Sequence, residues 1–113
     1  MIEKDFIIGK VSWLTQMASE PALTEEQKKL YRLRYELLFK FLQENKLATK
    51  VFLKAGEAVT DEHQLKVSDL TETGFKVVKK ALPKWEAKID KAKDKLKATQ
   101  NLSLLENALT ELS

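Results

Sequence analysis

The sequence predicts a mainly helical single domain of about four helices with a two-stranded β-hairpin set into its middle. Three observations carry that class. Apolar residues recur at three- and four-residue spacing through most of the chain, which is the period of a helix with one buried face. One short stretch, Gln64-Leu65-Lys66-Val67-Ser68, alternates instead, which is the period of a strand. The length of 113 residues suits one domain, since domains cluster at roughly 100–150 residues.

The first helix is expected over residues 2–18. Ile7, Val11, Leu14 and Ala18 make one row, flanked by Phe6, Trp13 and Met17, a wide apolar stripe. Gly9 inside it disfavours helix by up to ~1 kcal/mol relative to alanine, and a close helix contact would be one reason for it. Ser19-Glu20-Pro21 stops this helix, because the residue before a proline is pushed out of helical geometry. The second helix is expected over 24–44. Thr24 and Gln27 form a capping box, and Glu25 and Glu26 suit the positive end of the dipole. Leu30, Leu33, Leu37, Phe41 and Leu42 are the expected inward face, flanked by Tyr31 and Leu38, with Asn45 as the left-handed stop.

Leu47 to Lys54 is β-branched and aromatic at its centre, so it is read as a strand pairing antiparallel with Gln64 to Ser68 across the loop 55–62. A lone hairpin is marginal in water and must pack on the helices. The third helix opens near Thr71 and is expected to reach about Lys97. Phe75, Val78, Leu82, Trp85, Ile89, Ala92 and Leu96 form a continuous 3-4 seam along it. The seam passes through Pro83 in register, which predicts a kink and not a break. The seam packs within the chain, and a homodimer through the 75–96 helix is a further expectation. Ser103 and Glu106 predict a second capping box for a short last helix carrying Leu105, Leu109 and Leu112.

Charge is unevenly placed. Residues 76–97 hold nine lysines against Glu86, Asp90 and Asp94, a net +6, so the rest of a +3 chain carries −3. A lysine-rich helix is most simply a solvated face, and otherwise a patch for nucleic acid or an acidic protein. The chain has no apolar run near the ~18 residues that cross a membrane, and no signal-peptide pattern at its start. No membrane partner is therefore expected, and the cytoplasm is the default compartment. His63 is the single histidine and there is no cysteine, so no metal site of the usual Cys/His kind is expected. No glycine-rich phosphate loop and no nucleophile–base–orienter set stands in the sequence, so an enzyme is not expected, nor a cofactor.

The order of a helix, Leu42 to Leu47, an extended stretch over 49–68 and then Leu70, Thr71 and Gly74 opening a long helix resembles the wing end of winged-helix regulators, MarR-like proteins in particular. Ala81-Leu82-Pro83-Lys84-Trp85 resembles the stretch that often follows. The resemblance covers about 45 residues, Leu42 to Trp85, and implies a winged-helix-like scaffold. It also implies an alternative function: a dimeric DNA-binding transcription regulator whose Thr24–Glu44 helix enters the major groove, with Lys28, Lys29, Arg32 and Arg34 as contacts. Two departures stand against that function. One helix, where the family carries more, precedes Thr24. The wing tip holds Glu57, Asp61 and Glu62, which phosphates repel.

The preferred expectation is therefore a non-catalytic protein-binding module, of immunity or antitoxin type or a small adaptor. Glu57, Asp61, Glu62 and Trp85 are its candidate partner-binding residues. Trp13 and Trp85 each carry two readings, core side chain or interface anchor, because tryptophan serves in both places.

Overall fold

The structure is a computed structural model and describes residues 6–16 and 23–112. It is mainly helical, with one two-stranded antiparallel sheet. Strand β1 (Ile7–Lys10) runs into a short helix α1 (Val11–Thr15). Helix α2 (Glu25–Glu44) follows, then a long loop, strand β2 (Gln64–Lys66) and a 3₁₀ turn (Val67–Asp69). Helices α3 (Glu72–Lys91), α4 (Lys95–Gln100) and α5 (Ser103–Leu112) complete the chain. No helix among the described residues is long and apolar enough to cross a membrane.

The N-terminal segment corrects the sequence reading. Within the helix expected over 2–18, residues 7–10 are a strand and only Val11–Thr15 is helical. Residues 2–5 and 17–18, and the Ser19-Glu20-Pro21 stop, lie outside the described residues. The isoleucines at 7 and 8 favour strand, and Gly9 weakens helix. Gly9 does mark a close approach: a Cβ there would strike the Tyr35 hydroxyl on α2. The strand crosses α2 at the one residue without a side chain.

β1 pairs with β2, with Ile7 opposite Lys66, Gly9 opposite Leu65 and Lys10 opposite Gln64, and a bulge between Ile7 and Gly9. The strand expected over 47–54 does not form. It makes a single bridge, Ala48 to Leu70, and β2 pairs with β1 instead. Gln43 on α2 satisfies the backbone that a strand partner would have met. Its Oε1 accepts from Phe52 N–H (2.6 Å) and Leu53 N–H (2.8 Å), and its Nε2 donates to the Leu53 carbonyl (3.2 Å). Buried N–H groups need such partners. Phe52 and Leu53 are thereby held in the core, with Phe52 stacked on Phe39 at 4.4 Å between ring centres.

α2 begins with the expected capping box, Gln27 N–H to Thr24 Oγ1 (3.1 Å) and Thr24 N–H to Gln27 Oε1 (2.9 Å). It ends at Glu44 as expected, but the left-handed residue is Lys46 and not Asn45, with φ 58°. Leu47 N–H reaches the Leu42 carbonyl at 2.8 Å and Lys46 N–H the Gln43 carbonyl at 3.3 Å, the double bond of a Schellman stop. The buried face is turned in part from the expected one. Phe41 and Leu42 are buried as expected, together with Tyr35, Leu38 and Phe39, while Leu30, Leu33 and Leu37 are half-buried.

α3 opens as its sequence predicts, with Thr71 Oγ1 accepting from Gly74 N–H at 3.0 Å. Thr71 N–H donates to the Leu47 carbonyl at 2.9 Å, and a Cβ on Gly74 would collide with that same carbonyl oxygen. The helix runs continuously through Pro83 but stops at Lys91, short of 97. Asp94 starts α4 instead, accepting from Lys97 N–H at 3.0 Å. Lys95 Nζ closes the end of α3 by donating to the Asp90 carbonyl at 2.6 Å. Leu96 is consequently half exposed, whereas Val78, Trp85 and Ile89 are buried in the core. The seam therefore packs within the chain. The second capping box is replaced by Asn101, whose side chain accepts from Ser103 N–H at 3.1 Å, and Ser103 is already helical.

Candidate protein-binding face

The two tryptophans divide the two readings between them. Trp85 has no exposed surface, so as a partner-binding residue it is corrected to a core residue, while Trp13 is 54% exposed. The reason is the register of α1. Val11 and Thr15, four apart, are the buried residues of this helix, and a residue two positions on from Val11 lies about 200° around a helix of 3.6 residues per turn. Trp13 must point away from the core.

The loop beside Trp13 is built, not slack. Val11 N–H donates to the His63 carbonyl (3.0 Å) and Ser12 N–H to the Asp61 carbonyl (3.2 Å). These two bonds fix the Trp13 backbone against residues 61–63. Within the loop, His63 Nδ1 accepts from Thr60 N–H at 3.0 Å, Glu62 N–H donates to Thr60 Oγ1 at 3.3 Å, and Val59 is buried. Gly56, with φ 79°, turns the chain through a left-handed conformation that glycine adopts without strain. Glu57 and Glu62 are exposed on this frame, and Glu57 Oε1 lies 3.7 Å from His63 Nε2.

Asp61 serves a different purpose. Its carboxylate accepts from Arg32 Nε at 3.0 Å and from Arg32 Nη2 at 3.5 Å. Thr15 and Gln16 of the α1 segment lie near the same carboxylate and favour its charged form. The Arg32 hydrogen bond, more than any other contact, holds Asp61 below the usual carboxylate range, and the same bond raises Arg32. Asp61 therefore ties α1, the loop and α2 together and has little capacity left for a partner.

The four basic residues expected at a DNA groove do not form one surface. Lys28 pairs with Glu25 at 3.7 Å and Lys29 is exposed. Arg32 is engaged by Asp61. Arg34 is 5% exposed, with Nη1 3.3 Å from Glu86 and Nη2 3.0 Å from Asp90. Its guanidinium also lies over the Tyr31 ring, 5.1 Å from the centre. Burial pushes the Glu86 carboxyl above its usual range, and Arg34 pulls it part of the way back. Burial likewise pushes the Tyr35 hydroxyl up to about 12. Sequence reasoning missed the inward turn of Arg34, and the signal for it was present. Tyr35, Leu38 and Leu42 share the 3-4 spacing that carries residue 34 to the edge of the buried face.

No group of three or more His, Cys, Asp or Glu side chains stands close enough to hold a metal ion among the described residues. Trp13, Glu57 and Glu62 are exposed side chains on or beside the loop that the Val11 and Ser12 N–H bonds brace. Comparison with family models, with curated proteins and with solved structures finds no match for the chain.

Proposed function

We propose that this chain is a non-catalytic protein-binding module that receives its partner on the face formed by Trp13, Glu57 and Glu62. One observation carries the reading: a large aromatic side chain, half exposed, stands on a backbone hydrogen-bonded to an ordered acidic loop. Exposed tryptophan is costly in water and is a frequent anchor of interfaces. A pre-ordered loop loses little entropy on binding. The flanking carboxylates suit a basic partner surface. Within that class, the small size and acidic face fit a neutralising protein of immunity or antitoxin type, or a small adaptor. The winged-helix-like reading of the scaffold rests on the Leu42 to Leu47 turn and on the joint where Gly74 packs against Leu47.

The test uses the whole chain as bait in native lysate, beside Trp13→Ala and Glu62→Lys. A discrete protein retained by the parent and lost by both variants supports the reading. Equal retention by Trp13→Ala, or recovery of DNA alone, sinks it. The alternative, a DNA-binding regulator, is supported by the exposed lysines of α3 and α4 and weakened by the engagement of Arg32 and Arg34. It requires duplex binding that falls steeply with salt, and a gel shift at low salt without retardation removes it.

A further inference from the structure

A groove of about 300 Å³ runs along α3. Phe6 and Ile8 line it from the β1 segment, and Phe75, Leu82 and Pro83 line it from α3. The apolar seam of α3 is divided there. Trp85 and Ile89 are buried, whereas Phe75 and Leu82 pack on the core with one side and line the groove with the other. Ile8 is half-buried and Phe6 is 57% exposed. Apolar side chains gathered in one exposed patch mark an interaction surface.

The ionisable groups that line the groove are Lys79 and Glu86. Lys79 is exposed and has no carboxylate partner among the described residues. Glu86 lies 3.3 Å from Arg34, with its side chain 34% exposed. Arg34 is shared with Asp90 and compensates Glu86 only in part, so burial holds the Glu86 carboxyl above its usual range. Lys79 and Glu86 are seven residues apart, which places them within about 20° of one line along the helix. Their midpoint falls between Leu82 and Pro83. A half-turn about that midpoint exchanges the two charges, so the patch is complementary to itself, as a twofold interface requires. The other lysines of the helix do not oppose this pairing. Lys80, Lys84 and Lys88 lie about 160°, 200° and 240° around the helix from Leu82, and Lys76 pairs with Glu72 at 3.6 Å.

We propose that a second copy of this chain covers the patch, in a twofold dimer whose α3 helices run antiparallel and cross at Leu82 and Pro83. Lys79 of each copy pairs with Glu86 of the other. Leu82 and Phe75 of each copy lose water at the centre, and the partner's lysine supplies the cation that Arg34 alone does not. The patch is one helix stripe and a strand end, small beside the roughly 800 Å² per partner of a standard interface. The dimer is therefore a weak one that dissociates on dilution. It does not rest on the Trp13 face.

The test is sedimentation velocity of the whole chain from micromolar to millimolar concentration, with circular dichroism of each variant as a check on folding. The parent should pass reversibly from monomer to dimer. Lys79→Glu sets carboxylate against carboxylate twice and should raise the dissociation constant about tenfold. Lys84→Glu makes the same change of net charge on the far side of α3 and should leave the constant within about twofold. Trp13→Ala should dimerise as the parent does. Lys79 and Lys84 are both exposed, so neither substitution threatens the fold. Four results overturn the proposal: a parent that stays monomeric throughout, a dimer indifferent to Lys79→Glu, an equal loss in Lys84→Glu, or a dimer abolished by Trp13→Ala.

Discussion

Arg32 and Asp61, 29 residues apart, meet in a two-pronged contact that places the acidic loop against α2. One residue was a candidate for binding DNA and the other for binding a protein, and each neutralises the other. The pair has a pH signature. Asp61 is held below its unfolded value of about 3.9, so its contribution is present above that value and is lost as pH falls through the lower folded value. Both side chains are about 30% exposed, so solvent screening limits the effect to about 1 kcal/mol. Urea denaturation at pH 7 and pH 3 should show Asp61→Asn less stable than the parent at pH 7, and the gap smaller at pH 3. A gap of equal size at both values would assign the loss to packing.

Arg34 is the more consequential arginine. Its side chain is 6% exposed and holds Glu86 and Asp90. Arg34→Met removes the charge that pulls Glu86 back toward its ordinary range, so the cost should be about 2 kcal/mol, as for a lost hydrogen bond to a charged group. The raised Glu86 group means that the folded state holds its proton to higher pH than the unfolded state, so its ionisation opposes folding as pH rises. Neutralising it in Arg34→Met/Glu86→Gln should recover about half of the loss. Full additivity of the two substitutions in thermal melts would show that the groups act independently.

Gln43 predicts a loss larger than its half-buried position suggests. It provides three hydrogen bonds to the backbone of Phe52 and Leu53. Gln43→Leu leaves those groups without partners beneath the surface, at a cost of about 2–3 kcal/mol. Hydrogen exchange should accelerate first at the Phe52 and Leu53 amides. Unchanged protection there would mean that the loop is held by the burial of its side chains alone.

The same loop shows how far the sequence reading reached. Local signals were legible: the Thr24 and Thr71 caps, the continuity of α3 through Pro83, and the burial of Val78, Trp85 and Ile89 all follow from residues within a few positions of one another. Long-range choices were not. That β2 pairs with Ile7–Lys10 and not with 47–54 is set by contacts distant in sequence from β2. Gln43 satisfies Phe52 and Leu53 from α2, and no periodicity within 47–54 encodes that. The site followed the same division. Glu57 and Glu62 were identifiable as an acidic loop tip, whereas the exposure of Trp13 needed the correct boundary of α1.

The two constrained glycines should rank by the hardness of what they face. At Gly74 an added Cβ meets the Leu47 carbonyl, a backbone atom fixed by the Thr71 N–H bond. At Gly9 it meets the Tyr35 hydroxyl, the far end of a side chain. Overpacking against fixed atoms costs about 1–3 kcal/mol or more, so Gly74→Ala should fall at the upper end and Gly9→Ala near the lower. Chemical denaturation of the two variants reads the order directly. The reverse order would mean that the start of α3 shifts more easily than the ring of Tyr35.

Fluorescence separates the two tryptophans without a partner. Trp13 is half exposed and Trp85 is fully buried. Trp13→Phe should emit toward the blue and resist quenching by iodide, and Trp85→Phe, if it folds, should emit toward the red and quench readily. Trp13→Phe should change stability by less than about 0.5 kcal/mol, as expected for an exposed side chain, whereas Trp85→Ala should cost about 3–5 kcal/mol. An emission from Trp13→Phe that iodide still quenches would place solvent at Trp85 and return that residue to the candidate interface in place of Trp13.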